Sequence, residues 1–174
     1  MKIFRNFISE EERRELRSHA VKLRKRKELS PNRTGPHRFT TATLGTKHHT
    51  PLIQSVGSRI MALLEGVEYK IDPLLGWNLS YIERSGFVQE HTDKYRDPGI
   101  RHLRCNVVVS KGDGSGRPVI DGTAYDINET DMWMFFASEA THGCEVVKCS
   151  RPRILYGFGF AIQGDSFQID DIQD

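Results

Sequence analysis

Two helices are predicted from the spacing of apolar residues in the first third of the chain. Ser9 and Glu12 form a capping box, and the pattern behind them predicts a helix over residues 10–28. Thr50 and Pro51 are an N-cap and a first helical position for a second helix. The apolar stripes at helical spacing are Leu16, Ala20 and Leu23 in the first helix, and Ile53, Val56, Ile60 and Leu63 or Leu64 in the second.

From Val67 onward the pattern changes to short runs rich in β-branched and aromatic residues, separated by turn residues. Strands that follow helices are typical of an α+β domain, and we expect a sandwich or jelly roll with the two N-terminal helices packed on one sheet. The connection over 29–50 has no period and is expected to be a loop with a short strand near 38–44. The predicted strands cover residues 67–72, 77–82, 86–92, 102–110, 117–127, 131–136, 141–148 and 153–161.

Two of these strands have one face suited to a core and one suited to a site. In "RILYGFGF" (153–160), the large residues alternate with Arg153, Leu155, Gly157 and Gly159. The large face is expected to pack under the helices. Glycine weakens a strand, so two glycines on the other face suggest that a ligand fills the space beside them. In the strand over 102–110, Arg104 and Asn106 share a polar face that we expect to line the same site.

A metal site is predicted from three residues. His91 and Asp93 are two positions apart at the end of a strand, so their side chains point to one face. His142 follows in a distant β-rich run. Two imidazoles and one carboxylate on one side of an octahedral ion leave three positions open, the arrangement that suits non-haem Fe(II) and its reaction with O2.

Basic and aromatic residues near this set predict a site for a second ligand. Arg151 and Arg153 follow His142, and a guanidinium on the small face could form a bidentate pair with a carboxylate of a dicarboxylate co-substrate. Tyr81 precedes His91 by ten residues on a neighbouring strand, where its hydroxyl could donate to a bound carboxylate. Trp77 shares a face with Tyr81 and is a candidate for the lining of the substrate pocket.

Length and composition restrict the class of protein. A chain of 174 residues is the size of one domain, which we divide into helical support and loop (1–66), jelly-roll core (67–161) and an acidic tail (162–174). Three cysteines are an odd number and indicate reduced thiols rather than a disulfide framework. With no apolar run of membrane length and no signal-like N-terminus, we expect a soluble cytoplasmic protein that does not contact a membrane.

The order His91-x-Asp93, His142, Arg153 on short strands behind two helices resembles the Fe(II)- and 2-oxoglutarate-dependent dioxygenases, nearest to the prolyl-hydroxylase-like branch. The resemblance covers roughly residues 75–161. It implies a double-stranded β-helix core, Fe(II) bound by the His-Asp-His set, and 2-oxoglutarate chelating the metal. The distal carboxylate would meet a basic residue about ten positions after the second histidine. Arg151 and Arg153 both fit that spacing, and Arg153 is preferred because it shares a face with the glycines.

The resemblance leaves the substrate open. Hydroxylation of a C–H bond, with release of succinate and CO2, is the expected reaction, because the carboxylate ligand disfavours a halogenating variant. The loops over 29–50, 94–101 and 111–117 are rich in Arg and Lys, which suggests an acidic small molecule, an amino acid or a peptide as substrate. "GSGRPVIDG" replaces the double-glycine turn of many relatives, which weakens detailed substrate analogies.

Three alternatives stay open. A cupin-like or other metal-dependent enzyme would use the same jelly roll without 2-oxoglutarate. A nucleic-acid-directed oxygenase, or a non-catalytic binding jelly roll, would use the basic segment 13–28 to contact phosphate. Aromatic residues are absent from that segment, so nucleic acid is not the expected partner.

Overall fold

A cavity lies between two antiparallel sheets in the computed structural model, which describes residues 1–41, 48–73, 76–93, 97, 99–165 and 167–172. The large-sheet strands are β1 (Lys2–Phe4), β2 (Ser30–Pro31), β3 (Arg38–Thr40), β4 (Tyr69–Ile71), β5 (Trp77–Ile82), β7 (Ile100–Lys111), β10 (Met132–Phe136) and β12 (Arg153–Gln163). The small-sheet strands are β6 (Val88–His91), β8 (Pro118–Ile120), β9 (Thr123–Ala124) and β11 (His142–Cys144). The large sheet has the order β1-β10-β7-β12-β5-β3-β2, with β4 also paired to β12, and the small sheet has the order β6-β11-β8-β9.

Both predicted helices form, and their caps are those expected from the sequence. Helix α1 spans Glu10–Lys25, and the Ser9 hydroxyl accepts from the Glu12 amide while the Glu12 carboxylate accepts from the Ser9 amide. Helix α2 spans Pro51–Ala62, and the Thr50 hydroxyl accepts from the Ile53 amide. Helix α1 ends three residues before the predicted boundary because Lys27 has a φ of 58°, which is incompatible with a helix.

The helices and the large face of β12 share one hydrophobic core. Ile154, Tyr156, Phe158 and Phe160 are buried in a cluster that also contains Leu16, Ala20 and Leu23 of α1 and Ile53, Val56 and Ile60 of α2. The hydroxyl of Tyr156 donates to the carbonyl of Leu16 at 2.9 Å and lies 2.8 Å from Nδ1 of His19. The opposite face of β12 is therefore free to line the cavity.

Three parts of the chain differ from the expected elements. Strand β1 pairs with β10 at the edge of the large sheet, although a three-residue strand carries too little pattern to be predicted. The run predicted over 117–127 is divided into β8 and β9 by a turn at Asp121 and Gly122, which both have positive φ. Of the strand predicted near 38–44, residues 42–44 lie outside the described residues.

The segment predicted to be an acidic tail is packed against the body of the domain. Strand β12 continues to Gln163, and Phe167, Ile169 and Ile172 are all buried, two of them flanking a short 3₁₀ turn at Ile169–Asp171. A guanidinium N–H of Arg101 donates to the carbonyl of Phe167 at 2.7 Å. Apolar residues interleaved with the aspartates are the physical reason for the difference.

No helix in the described part of the chain is long and apolar enough to span a membrane.

Gly57 of α2 allows the helix to approach β5 closely. A Cβ atom at this position would lie 2.3 Å from the ring of Trp77, and that ring also packs edge-to-face on Phe158. Replacing Gly57 by Ala adds about 1 kcal/mol of helix propensity, whereas overpacking a core costs about 1–3 kcal/mol. We therefore predict that Gly57→Ala lowers the free energy of unfolding, measured by urea denaturation.

The neighbouring exposed residue provides the control for this prediction. Ser58→Ala gains the same kind of helix propensity without a contact to Trp77, so its unfolding free energy is expected to stay the same or rise slightly. Equal unfolding free energies for Gly57→Ala and Ser58→Ala would show that the close approach of Gly57 to Trp77 does not affect stability.

Candidate active site

The three predicted metal ligands converge at one end of the cavity. Strand β11 pairs with β6 in a register that sets His142 directly opposite His91, and their ring centroids are 4.4 Å apart. Asp93 follows β6, where its amide donates to the carbonyl of Ala137 at 2.8 Å. Oδ1 of Asp93 lies 3.5 Å from Nε2 of His91 and 3.8 Å from Nε2 of His142. One ligand atom from each residue lies within 4.8 Å of the other two, so one ion can reach all three.

Backbone carbonyls orient both imidazoles. Nδ1 of His91 lies 2.8 Å from the carbonyl of Gln89, and Nδ1 of His142 lies 3.1 Å from the carbonyl of Ala140. A carbonyl accepts only from a protonated Nδ1, which leaves the Nε2 lone pair of each ring directed towards the shared position. This is the usual support for histidine ligands in metal sites. Both rings are therefore ready to bind a cation without rearrangement.

The two oxygens of Asp93 have different partners. Oδ1 faces the imidazoles, whereas Oδ2 accepts from Nε and Nη2 of Arg104 at 3.3 and 3.2 Å. Nη2 of Arg104 also lies 3.1 Å from Oδ2 of Asp72, which is buried. Burial alone would raise the pKa of Asp93, but the His102 and His91 side chains and the Arg104 charge lower it far below its usual range. Asp93 is therefore ionised, with one oxygen left for a metal.

The glycines of β12 make room for protein side chains rather than for a ligand. A Cβ atom at Gly159 would lie 2.3 Å from Nη1 of Arg104, and one at Gly157 would lie 2.9 Å from the side-chain amide of Asn78. The expectation that a ligand fills the space next to these glycines is therefore wrong. The small residues let polar groups of β5 and β7 lie flat against β12, and one of these groups holds the carboxylate of Asp93.

The cavity extends from the metal ligands to Arg153 and has a volume of about 480 Å³. Arg104, Asn106 and Arg153, all predicted site residues, line it. Arg153 is 4% exposed, and within the described part of the chain no carboxylate lies within 4.0 Å of its guanidinium. Its desolvation lowers the pKa of Arg153, which shows that burying this cation is costly. An anionic ligand would offset that cost.

Two predicted site residues lie elsewhere. Arg151 forms ion pairs with Glu129 and with Asp113, the latter at 3.8 Å, and it does not line the cavity. Tyr81 is on the helix-facing side of β5, in the core cluster that also contains Trp77. The prediction that Tyr81 donates to a bound carboxylate is therefore wrong, because its side chain faces the helices. The prediction that Trp77 lines the substrate pocket is wrong for the same reason. The cavity-facing residues of β5 are Asn78 and Ser80, and their alternation with Trp77, Leu79 and Tyr81 was the available signal.

Two further residues of the site were not predicted. Asp72 joins the Arg104–Asp93 pair from the loop after β4, and Arg38 of β3 projects into the cavity. Neither could be found from strand periodicity, because Asp72 follows a three-residue strand and Arg38 lies in a stretch rich in turn residues. Trp133 of β10, which is buried in a second hydrophobic cluster, also contributes to the cavity wall.

At the level of sequence, no protein-family model and no curated protein matches this chain. Solved structures do match its fold. A prolyl-4-hydroxylase from Pseudomonas putida superposes with a TM-score of 0.70 at 15% identity, covering 95% of this chain and 92% of that one. A viral collagen prolyl hydroxylase from Paramecium bursaria Chlorella virus-1, as its 2-oxoglutarate complex, gives 0.68 at 16% identity, with coverage of 92% and 95%. HygX from Streptomyces hygroscopicus, with nickel, 2-oxoglutarate and hygromycin B bound, gives 0.67 at 11% identity, with coverage of 95% and 83%.

The contact between Gly159 and Arg104 generates a prediction about metal affinity. Gly159→Ala should push the guanidinium away from Oδ2 of Asp93 and weaken the binding of Co(II), followed by its visible absorption, by about tenfold or more. Gly157→Ala is the matched control, since it lies on the same face but meets the amides of Asn78 and Asn106. Equal Co(II) affinities in the two variants would show that Arg104 does not support the metal ligand.

Proposed function

We propose that this protein is a 2-oxoglutarate-dependent dioxygenase that hydroxylates a C–H bond of a small molecule, an amino acid or a peptide. Its two-sheet fold, which prolyl hydroxylases of known structure share, supports the proposal. The observation that carries this proposal is the convergence of His91, Asp93 and His142 at one end of a cavity that contains the buried guanidinium of Arg153.

The residues of the proposed metal site fit Fe(II). Two Nε2 lone pairs and one carboxylate oxygen would bind on one side of the ion, as in the two-histidine, one-carboxylate sites of non-haem Fe(II) oxygenases. When bound, Fe(II) and 2-oxoglutarate supply the oxidising chemistry: O2 is consumed, 2-oxoglutarate is converted to succinate and CO2, and one oxygen atom enters the substrate. Arg104 holds Oδ2 of Asp93, which favours binding through Oδ1 alone. A carboxylate that occupies one position leaves more of the metal open to ligands.

Arg153 is the proposed partner of the distal carboxylate of 2-oxoglutarate. Its guanidinium is buried in the cavity wall and can form a bidentate pair with a carboxylate. Arg151 is already paired with acidic side chains outside the cavity. The side chains of Asn78, Ser80 and Asn106 supply neutral hydrogen-bonding groups along the same cavity.

The remaining walls suit a hydroxylation site. Ile120, Phe135 and Leu155 are nearly fully buried and line the cavity, and the ring of Phe135 packs against His142 with a centroid distance of 5.0 Å. Apolar walls next to the metal ligands exclude water from the reacting carbon. They also offer a surface for the apolar part of a substrate.

Two of the eight basic residues in the segment over 13–28 form ion pairs within the protein, which lessens the support for nucleic acid as a partner. Arg13 forms ion pairs with Glu10 and Glu129 at 2.8 and 3.0 Å, and Arg24 pairs with Glu83 at 2.9 Å. These contacts reduce the positive charge that α1 can offer to phosphate.

Loss of a metal ligand is predicted to abolish activity. His91→Ala or Asp93→Ala should eliminate the formation of succinate from 2-oxoglutarate in the presence of Fe(II), ascorbate and O2. Glu90→Ala is the matched control, because Glu90 is adjacent to His91 on β6 but is exposed and outside the cavity lining. Full turnover in either ligand variant would contradict the proposed site.

The two arginines after His142 give a second test of the proposal. Arg153→Gln should weaken the binding of 2-oxoglutarate to the metal-loaded protein by at least about tenfold, because a charge-assisted pair is lost inside the cavity. Arg151→Gln should leave the dissociation constant unchanged. Calorimetric titration measures both constants, and an effect confined to Arg151→Gln would reverse the assignment.

A further inference from the structure

Arg38 is a cation in the cavity that the proposed chemistry does not use. It lies on β3, lines the cavity, and is partly buried. Its Nε donates to the hydroxyl of Ser80 at 3.2 Å and its Nη1 donates to the hydroxyl of Thr34. Both partners are neutral. Within the residues that the structure describes, no carboxylate lies within 4.0 Å of this guanidinium. Arg38 is therefore positioned by hydrogen bonds that leave its charge uncompensated.

The position of Arg38 brings it near the proposed reaction site. Arg38 and Arg153 both pair with Ile82 of β5, so they lie in one row across the large sheet, two strands apart. With strands about 4.8 Å apart, the two Cα atoms are separated by roughly 10 Å. Burial lowers the pKa of Arg38 to about 10, with opposing contributions from the charges of Arg153 and Asp93. The side chain is thus still cationic at neutral pH.

A balance of charges indicates what Arg38 binds. Among the described residues, four guanidiniums line the cavity: Arg38, Arg104 and Arg153 lie in its interior, whereas Arg33 is exposed at the rim, where solvent screens its charge. The carboxylates at or beside the interior are Asp72 and Asp93. Fe(II) and the dianion of 2-oxoglutarate cancel each other, so loading the site leaves one positive charge in excess. Arg104 is already paired with both aspartates, and the proposed function pairs Arg153 with 2-oxoglutarate. The excess charge therefore lies on Arg38.

We propose that Arg38 is a specificity-determining residue that binds a carboxylate group of the primary substrate, an inference that rests on the function proposed above. A carboxylate supplies the one negative charge that is missing, whereas a phosphate monoester carries about −1.5 to −2 near neutral pH. The planar guanidinium can also form a bidentate pair with a carboxylate. The substrate is then held between a charged contact at Arg38 and the apolar wall of Ile120, Phe135 and Leu155.

Three probes with one ring and different head groups test this proposal. Phenylacetate, phenylacetamide and phenyl phosphate are titrated into protein loaded with Zn(II) and saturating 2-oxoglutarate, so that the proposed Arg153 site is occupied. Phenylacetate should bind at least about tenfold more tightly than phenylacetamide in the parent protein. Arg38→Gln should remove that difference, and Arg38→Lys should retain part of it because the charge is kept. Arg84→Gln, at an exposed position outside the cavity lining, should leave the difference intact.

The outcomes separate this proposal from the proposed function. If the parent protein binds 2-oxoglutarate normally but shows equal or no binding of phenylacetate and phenylacetamide, the Arg38 proposal is overturned and the oxygenase proposal stands. The Arg38 proposal is also overturned if Arg38→Gln keeps the full difference in affinity between phenylacetate and phenylacetamide. It is overturned as well if the Arg38→Gln protein binds 2-oxoglutarate more weakly, because that result would assign Arg38 to the co-substrate. Tighter binding of phenyl phosphate than of phenylacetate overturns the carboxylate assignment. Failure of the parent protein to bind 2-oxoglutarate rejects the proposed function itself.

Discussion

The register between β6 and β11 is the constraint on which the candidate site depends. Antiparallel pairing places His142 opposite His91, and Asp93 follows within reach of both imidazoles. A shift of one residue would turn one histidine to the other face of the small sheet and separate the ligand atoms. Register is protected on both sides, because β11 also pairs with β8 and because the amide of Asp93 is tied to the carbonyl of Ala137 at the end of β10. The small sheet thus presents two ligands, and the large sheet holds the third in place.

Arg104 connects this arrangement to the large sheet. Its guanidinium lies against Gly159 and contacts both Asp93 and Asp72. The absence of a side chain at Gly159 therefore leaves the space in which Arg104 orients the carboxylate of Asp93. A buried guanidinium between two carboxylates is stable only with all three groups present, since removal of one partner leaves a buried charge uncompensated. Arg153 and Arg38 differ from Arg104 in this respect. Their charges face the cavity without an acidic partner among the described residues, which is the reason for assigning anionic ligands to both.

The sequence predicts much of the fold, because capping signals and strand alternation are local. The caps at Ser9 and Thr50 and the division of β12 into a large face and a small face could be derived from spacing alone. The cavity-facing side of β5 was predicted incorrectly. Tyr81 was assigned to the cavity because of its hydroxyl, although Asn78 and Ser80 are the polar residues that alternate along this strand and line the cavity. The role of Gly159 could not be derived, because it depends on a side chain from a different strand. The place of Arg38 in the cavity could not be predicted either, because no local pattern shows which sheet edge a short strand in a turn-rich segment will join.

The central claim is that His91, Asp93 and His142 bind one Fe(II) that 2-oxoglutarate also chelates. Crystals grown without O2 in the presence of Fe(II) and 2-oxoglutarate would test it directly by anomalous diffraction at the iron absorption edge. We expect one anomalous peak within bonding distance of the two Nε2 atoms and Oδ1 of Asp93, with the far carboxylate of 2-oxoglutarate against Arg153. An iron peak bound by other residues, or 2-oxoglutarate located away from the metal, would contradict this account.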